Sequence, residues 1–202
     1  MLAVLPATIT LIAGCIINRE QTDDTLKNIL TIPVTFRRLL IGKLITVGIL
    51  SIFLGAVSFV LTLVVFLISG FTGLSAAFMV QSLFQMIGIN LCVYLAVLPI
   101  VVVTSRSANG FMAGVGFAFF YGFVGVFAAG HGLTNIYPIA AGLGIINYQE
   151  EGGSIYILPL CYLTMLIVFL ASVALIAVIG NRIKEPKARK KKVQPNSKGR
   201  RR

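Results

Sequence analysis

Few residues in this sequence could carry covalent chemistry. The one histidine, His131, sits between Gly130 and Gly132 with no acidic neighbour in sequence. That is a poor start for a metal site or a Ser-His-Asp triad, and no His-Glu-x-x-His occurs. Cys15, Cys92 and Cys161 are far apart, each inside an apolar run, with no Cys-x-x-Cys pair. They read as small buried hydrophobes. Gly42-Lys43 is followed by Leu44 and has Arg37 where the first Gly of a phosphate-binding loop would stand, so the chain has no such loop. No catalytic, cofactor-binding or metal-binding residue is expected in this chain.

What remains is charge, and it is unevenly spread. Of the 17 basic and 6 acidic side chains, eight lie in one polar insert: Arg19, Glu20, Asp23, Asp24, Lys27, Arg37, Arg38 and Lys43. Residues 44–105 then contain no charge at all. Within the insert, Thr22 is an expected N-cap, and Asp23 and Asp24 would fall in the first turn, where negative charge suits the helix dipole. Leu26, Ile29 and Leu30 follow at helical spacing and make one apolar face. Pro33 ends the run, because its ring removes a donor and pushes Ile32 out of the α region. Thr35 can then cap a second helix that rises through Leu39 and Leu40. Two readings stand: an interfacial helix lying flat under the headgroups, or a docking helix presented to a cytosolic partner.

The elements that must hold this insert are membrane helices. Hydrophobic residues make up 57% of the chain and charged residues 11%, outside the soluble globular range. A bilayer core needs roughly 20 apolar residues per helix. Spans are expected near 44–69, 78–103, 111–129 and 155–180, with a slightly short fifth near 1–17. That first stretch lacks the basic start and small-residue cleavage site of a signal peptide. The fold class is therefore all-α, a polytopic membrane protein of about five transmembrane helices. Residues 1–180 form a transmembrane domain containing the segment 18–43, and 181–202 form a basic tail.

Charge also orients the chain. Alternating the spans places 18–43, 104–110 and 181–202 on one side, and these hold all 17 basic residues. Basic loops stay cytoplasmic, so the insert, the Arg106 turn and the C-terminus are expected in the cytosol. Met1 would then lie outside with no basic residue ahead of the first helix to direct it, which suggests a helix missing upstream.

The third span carries Gln81, Gln85 and Asn90, the only amides well inside an apolar stretch. They read as interhelical hydrogen-bonding groups first and as lining of a substrate path second. Pro99 is expected to kink that helix. Gly110, Gly114, Ala118 and Gly122, at intervals of four, form a small-residue stripe for close helix packing. Pro138–Asn147 is apolar but far too short to cross, which suggests an external re-entrant or interfacial helix before the last span. The tail Lys184-Glu-Pro-Lys-Ala-Arg-Lys-Lys-Lys is expected to be disordered and to meet anionic lipid headgroups rather than nucleic acid. No span contains an ionisable residue, so any transport must draw its energy from another subunit.

Taken together, Glu20-x-x-x-Asp24-Thr25-Leu26, the Leu30 turn, Pro33-Val34 and Arg37-Arg38-Leu39-Leu40-Ile41-Gly42-Lys43 resemble the cytosolic signature of ABC-2 type permeases. The likeness is strongest to the compact bacitracin and lantibiotic export or immunity branch. Asp24 stands where that family usually has Gly. The resemblance implies six spans, with the first absent here. It also implies an amphipathic coupling helix seated on a separate ATP-binding cassette subunit through Glu20, Asp24, Thr25, Leu26, Ile29, Leu30, Pro33 and Arg37. ATP and Mg would be bound by that partner, and a second permease subunit would complete a homo- or heterodimer. The implied setting is the bacterial cytoplasmic membrane, and the implied work is outward movement of an amphiphilic or peptide substrate, including antimicrobials. The alternative from a different class is a non-transporting membrane scaffold recruiting cytosolic or lipid partners.

Overall fold

The computed structural model describes residues 3–22, 36–70, 75–105, 110–130, 133–148 and 156–182. Every regular element among them is helical: α1 (Val4–Thr22), α2 (Phe36–Ile68), α3 (Ala76–Thr104), α4 (Gly110–Gly130), α5 (Pro138–Ile145) and α6 (Leu158–Arg182). Three of them, α2, α3 and α6, are long and apolar enough to cross a membrane, and α1 and α4 carry shorter apolar stretches, Val4–Ile17 and Met112–Ala128. The chain is an all-α polytopic membrane protein.

Local sequence explains the helix ends. Ser75 caps α3, its hydroxyl accepting from the Phe78 amide at 3.2 Å. Pro6 falls in the first turn of α1, where its missing donor is harmless. Pro99 sits inside α3 and cannot close the bond to the Leu95 carbonyl, yet the helix continues to Thr104. Thr22, expected as an N-cap, is instead the last residue of α1. The first helix runs through Asn18-Arg19-Glu20 because nothing there stops it; no Pro or Gly intervenes before Thr22.

Several hydroxyls within the helices, buried or exposed, turn back on their own backbone. Thr10 donates to the Pro6 carbonyl at 2.7 Å, Thr62 to Ser58 at 2.8 Å and Ser172 to Val168 at 2.8 Å. Without water, each polar group must be satisfied internally.

The centre of the bundle is α3, which touches every other described helix. Its Val93, Val97 and Val102 are completely buried, packed with Ile9 and Ala13 of α1, Leu40 and Val47 of α2, and Ile139 of α5. The rim is apolar too: Phe53, Leu61 and Ile68 of α2, Phe120 of α4 and Leu170 of α6 are all exposed. So much exposed hydrocarbon suits a lipid solvent.

The small-residue stripe does bring helices together. A Cβ on Gly114 would stand 2.5 Å from Thr104 Cγ2 of α3, and one on Gly122 would stand 2.7 Å from the Ala3 carbonyl oxygen beside α1. Ala118 between them is fully buried.

Candidate functional site

Two helix ends frame the polar insert: the C-terminal end of α1 and the N-terminal end of α2. Of the expected coupling residues, Glu20 lies within α1, and Arg37 lies exposed in the first turn of α2. Asp24, Thr25, Leu26, Ile29, Leu30 and Pro33, with the helix expected around them, lie outside the described residues. What the structure gives is the base on which that segment stands.

The base is tied by two side chains. Lys43 is half-buried, and its Nζ donates to the Ile17 carbonyl of α1 at 3.1 Å. One residue later, the Leu44 carbonyl accepts a 2.7 Å hydrogen bond from Tyr94 Oη of α3. The Tyr94 ring lies in a notch at Gly48, where a Cβ would come within 3.2 Å of Tyr94 Cε1. Lower down, Ser51 Oγ donates to the Asn90 carbonyl at 2.9 Å, and Gly55 would place a Cβ only 2.8 Å from Ile87 Cα. From Leu44 to Gly55, α2 is thus held to α3 at four levels.

Tyr94 was not among the residues singled out by sequence. A signal existed: a phenol in a charge-free span has to find an acceptor.

The three amides of α3 part company. Gln81 is exposed, Gln85 is half-buried and Asn90 is completely buried. Gln85 Nε2 donates to the Ile146 carbonyl just past α5 at 3.2 Å. Asn90 Nδ2 donates to the Met86 carbonyl of its own helix at 2.8 Å, while its Oδ1 has no hydrogen-bond partner among the described residues. Gln85 reaches the chain just past α5, and Asn90 sits at the α2 seam, where its carbonyl accepts from Ser51.

The short helix α5 is buried nearly along its whole length, from Ile139 to Gly144. Its backbone is covered by α3, α4 and α6, the condition under which irregular chain survives at membrane depth. It ends in a Schellman arrangement: Tyr148 N–H bonds the Leu143 carbonyl at 3.0 Å, Asn147 N–H bonds the Gly144 carbonyl at 3.1 Å, and Asn147 adopts φ 54°. Before it, Tyr137 Oη donates to the Tyr121 carbonyl of α4. Asn135 Oδ1 accepts from the Ile157 amide at 2.9 Å and stitches the entering loop to the start of α6. Gly142 and Gly144 let α5 sit between two thiols: a Cβ on the first would lie 2.9 Å from Cys92 Cβ, and on the second 2.9 Å from Cys161 Sγ.

Gly144→Val should therefore unseat α5. Overpacking of this kind costs about 2 kcal/mol, and Cys161 should become labelled by a maleimide about tenfold faster than in the parent protein. Unchanged Cys161 labelling would show that α5 is not held by this contact.

Comparison with known proteins now has a geometry to attach to. A family model described as ABC-2 family transporter protein matches residues 1–125. The bacitracin transport permease protein BCRB of Bacillus licheniformis is 35% identical over 147 residues, which is 69% of this chain and 70% of that protein. No solved structure matches the chain.

Proposed function

The chain belongs to the ABC-2 family of transporter proteins, and from that membership we propose that it is the permease subunit of an exporter powered by ATP hydrolysed in a separate subunit. The observation that carries the reading is the 35% identity to a bacitracin permease. Physical support comes from residues 44–105, which hold no Asp, Glu, Lys, Arg or His: a body without such side chains in this region has little means of its own to use an ion gradient. The substrate class is amphiphilic or peptide, with bacitracin-like antimicrobials the first to try. In this reading segment 23–35 carries the coupling helix, and Leu26, Ile29 and Leu30 make the face that docks on the ATPase. The basic segments face the cytosol, the tail after Arg182 lies along anionic headgroups, and a second permease subunit completes the pathway.

The test is co-expression of this chain with its ATP-binding subunit in a bacitracin-sensitive bacterium. Bacitracin tolerance should rise severalfold, the ATPase should co-purify with the permease, and a substitution disabling ATP hydrolysis should return tolerance to the starting value. Co-purification without a rise in tolerance would remove bacitracin as substrate. Absence of both would overturn the transporter reading.

A further inference from the structure

We infer that Tyr94 and Lys43 are positioning residues that clasp the base of segment 23–35, so that force arriving through that segment moves α1, α2 and α3 as one body. The inference rests on the permease reading and asks more of it. A coupling segment joined to two loosely packed helices would spend its displacement on bending them. Here the first helix after the segment is bonded to both neighbours within two consecutive residues: Lys43 Nζ to the Ile17 carbonyl of α1, and the Leu44 carbonyl to Tyr94 Oη of α3. Leu44 and Tyr94 are buried, so water does not compete for the phenol bond.

The clasp is also local. Ser51 and Gly55 continue the α2–α3 contact for three turns, but beyond them Val60, Leu61, Val64, Val65, Leu67 and Ile68 are exposed. The buried residues of α2 run from Leu40 to Gly55 and no further, so the closest packing lies in the half of α2 next to the segment, where a push would enter. Because α3 touches every other described helix, a displacement delivered to Tyr94 reaches the whole bundle.

The experiment uses the full chain with its ATP-binding subunit in lipid nanodiscs. Cys15 is replaced by Ala, and Gln81→Cys places a reporter on the exposed far end of α3, about 20 Å from Tyr94 along the helix. The maleimide labelling rate at that reporter is read with and without ATP plus vanadate. With Tyr94 and Lys43 intact, nucleotide should change the rate about fivefold, in the usual range for coupled sites. Tyr94→Phe keeps the ring in the Gly48 notch and removes only the hydroxyl. It should leave ATPase co-purification and the thermal midpoint unchanged and nearly abolish the nucleotide response. Lys43→Met should do the same, and Lys43→Arg should restore the response. Full response in both Tyr94→Phe and Lys43→Met would overturn the clasp while leaving the permease reading intact. So would a response lost only together with ATPase binding, since the bonds would then serve folding alone. No nucleotide response in the parent with ATPase bound would also overturn it. An ATPase that never binds the parent chain would bring down the permease reading beneath it.

Discussion

Leu30→Asp should leave the permease in the membrane and strip it of its ATPase subunit. Leu26, Ile29 and Leu30 fall on one face of the helix expected across 22–33, and a docking face of three aliphatic side chains depends on each of them. A carboxylate pressed into an apolar groove loses its hydration with nothing in return, a penalty of at least about 3 kcal/mol, or more than a hundredfold in affinity. ATPase recovered with the purified permease should fall below detection, and export should fall with it, while the amount of permease in the membrane stays the same. Asn28→Asp adds the same charge on the opposite face and should change little. Equal ATPase recovery from Leu30→Asp and Asn28→Asp would mean that this face does not dock.

The second large effect is on the fold. Gly55→Leu should force α2 off α3, because a Cβ at this position meets backbone atoms, Ile87 Cα at 2.8 Å and the Met86 carbonyl oxygen at 3.0 Å. Backbone cannot swing aside as a side-chain tip can, so the helices must separate. Gly122→Leu has the same problem against the Ala3 carbonyl oxygen at 2.7 Å. Each should cost about 3 kcal/mol, seen as a lower thermal midpoint in detergent and reduced membrane abundance. Gly116, with nothing within 4 Å, supplies the control: Gly116→Ala should be neutral or gain up to about 1 kcal/mol from helix propensity. A Gly55→Leu protein as stable as the Gly116→Ala protein would mean that the α2–α3 contact is not close.

Much of this architecture is legible in the residues. Long charge-free runs force helices, and the brevity of Pro138–Asn147 marks α5 as a segment that cannot cross. The stripe Gly114, Ala118, Gly122 reads as packing because small residues have little other use in lipid. Other features depend on facts a single chain does not display. Thr22 has the chemistry of a cap, but whether a helix has already begun upstream decides its role, and α1 had. Gln81 and Gln85 share a helical face, yet among the described residues it is Gln85 that finds a carbonyl on another element, at Ile146, while Gln81 is exposed. The importance of Tyr94 depends on a notch at Gly48 of α2, far away in sequence, which periodicity within α3 cannot reveal. The proposed coupling residues Leu26, Ile29, Leu30 and Pro33 lie outside the described residues, and the structure describes only the helix ends on either side of them.

One dimension of α2 has a further consequence. Its 33 residues measure about 50 Å end to end, against a hydrocarbon thickness of roughly 30 Å. Even a tilt cannot hide that difference, so part of the helix has to protrude, and the exposed Arg37 and Arg38 mark the end that does. The first turns of α2 thereby stand beyond the hydrocarbon, at a height set by how much of the rod the surrounding lipid submerges.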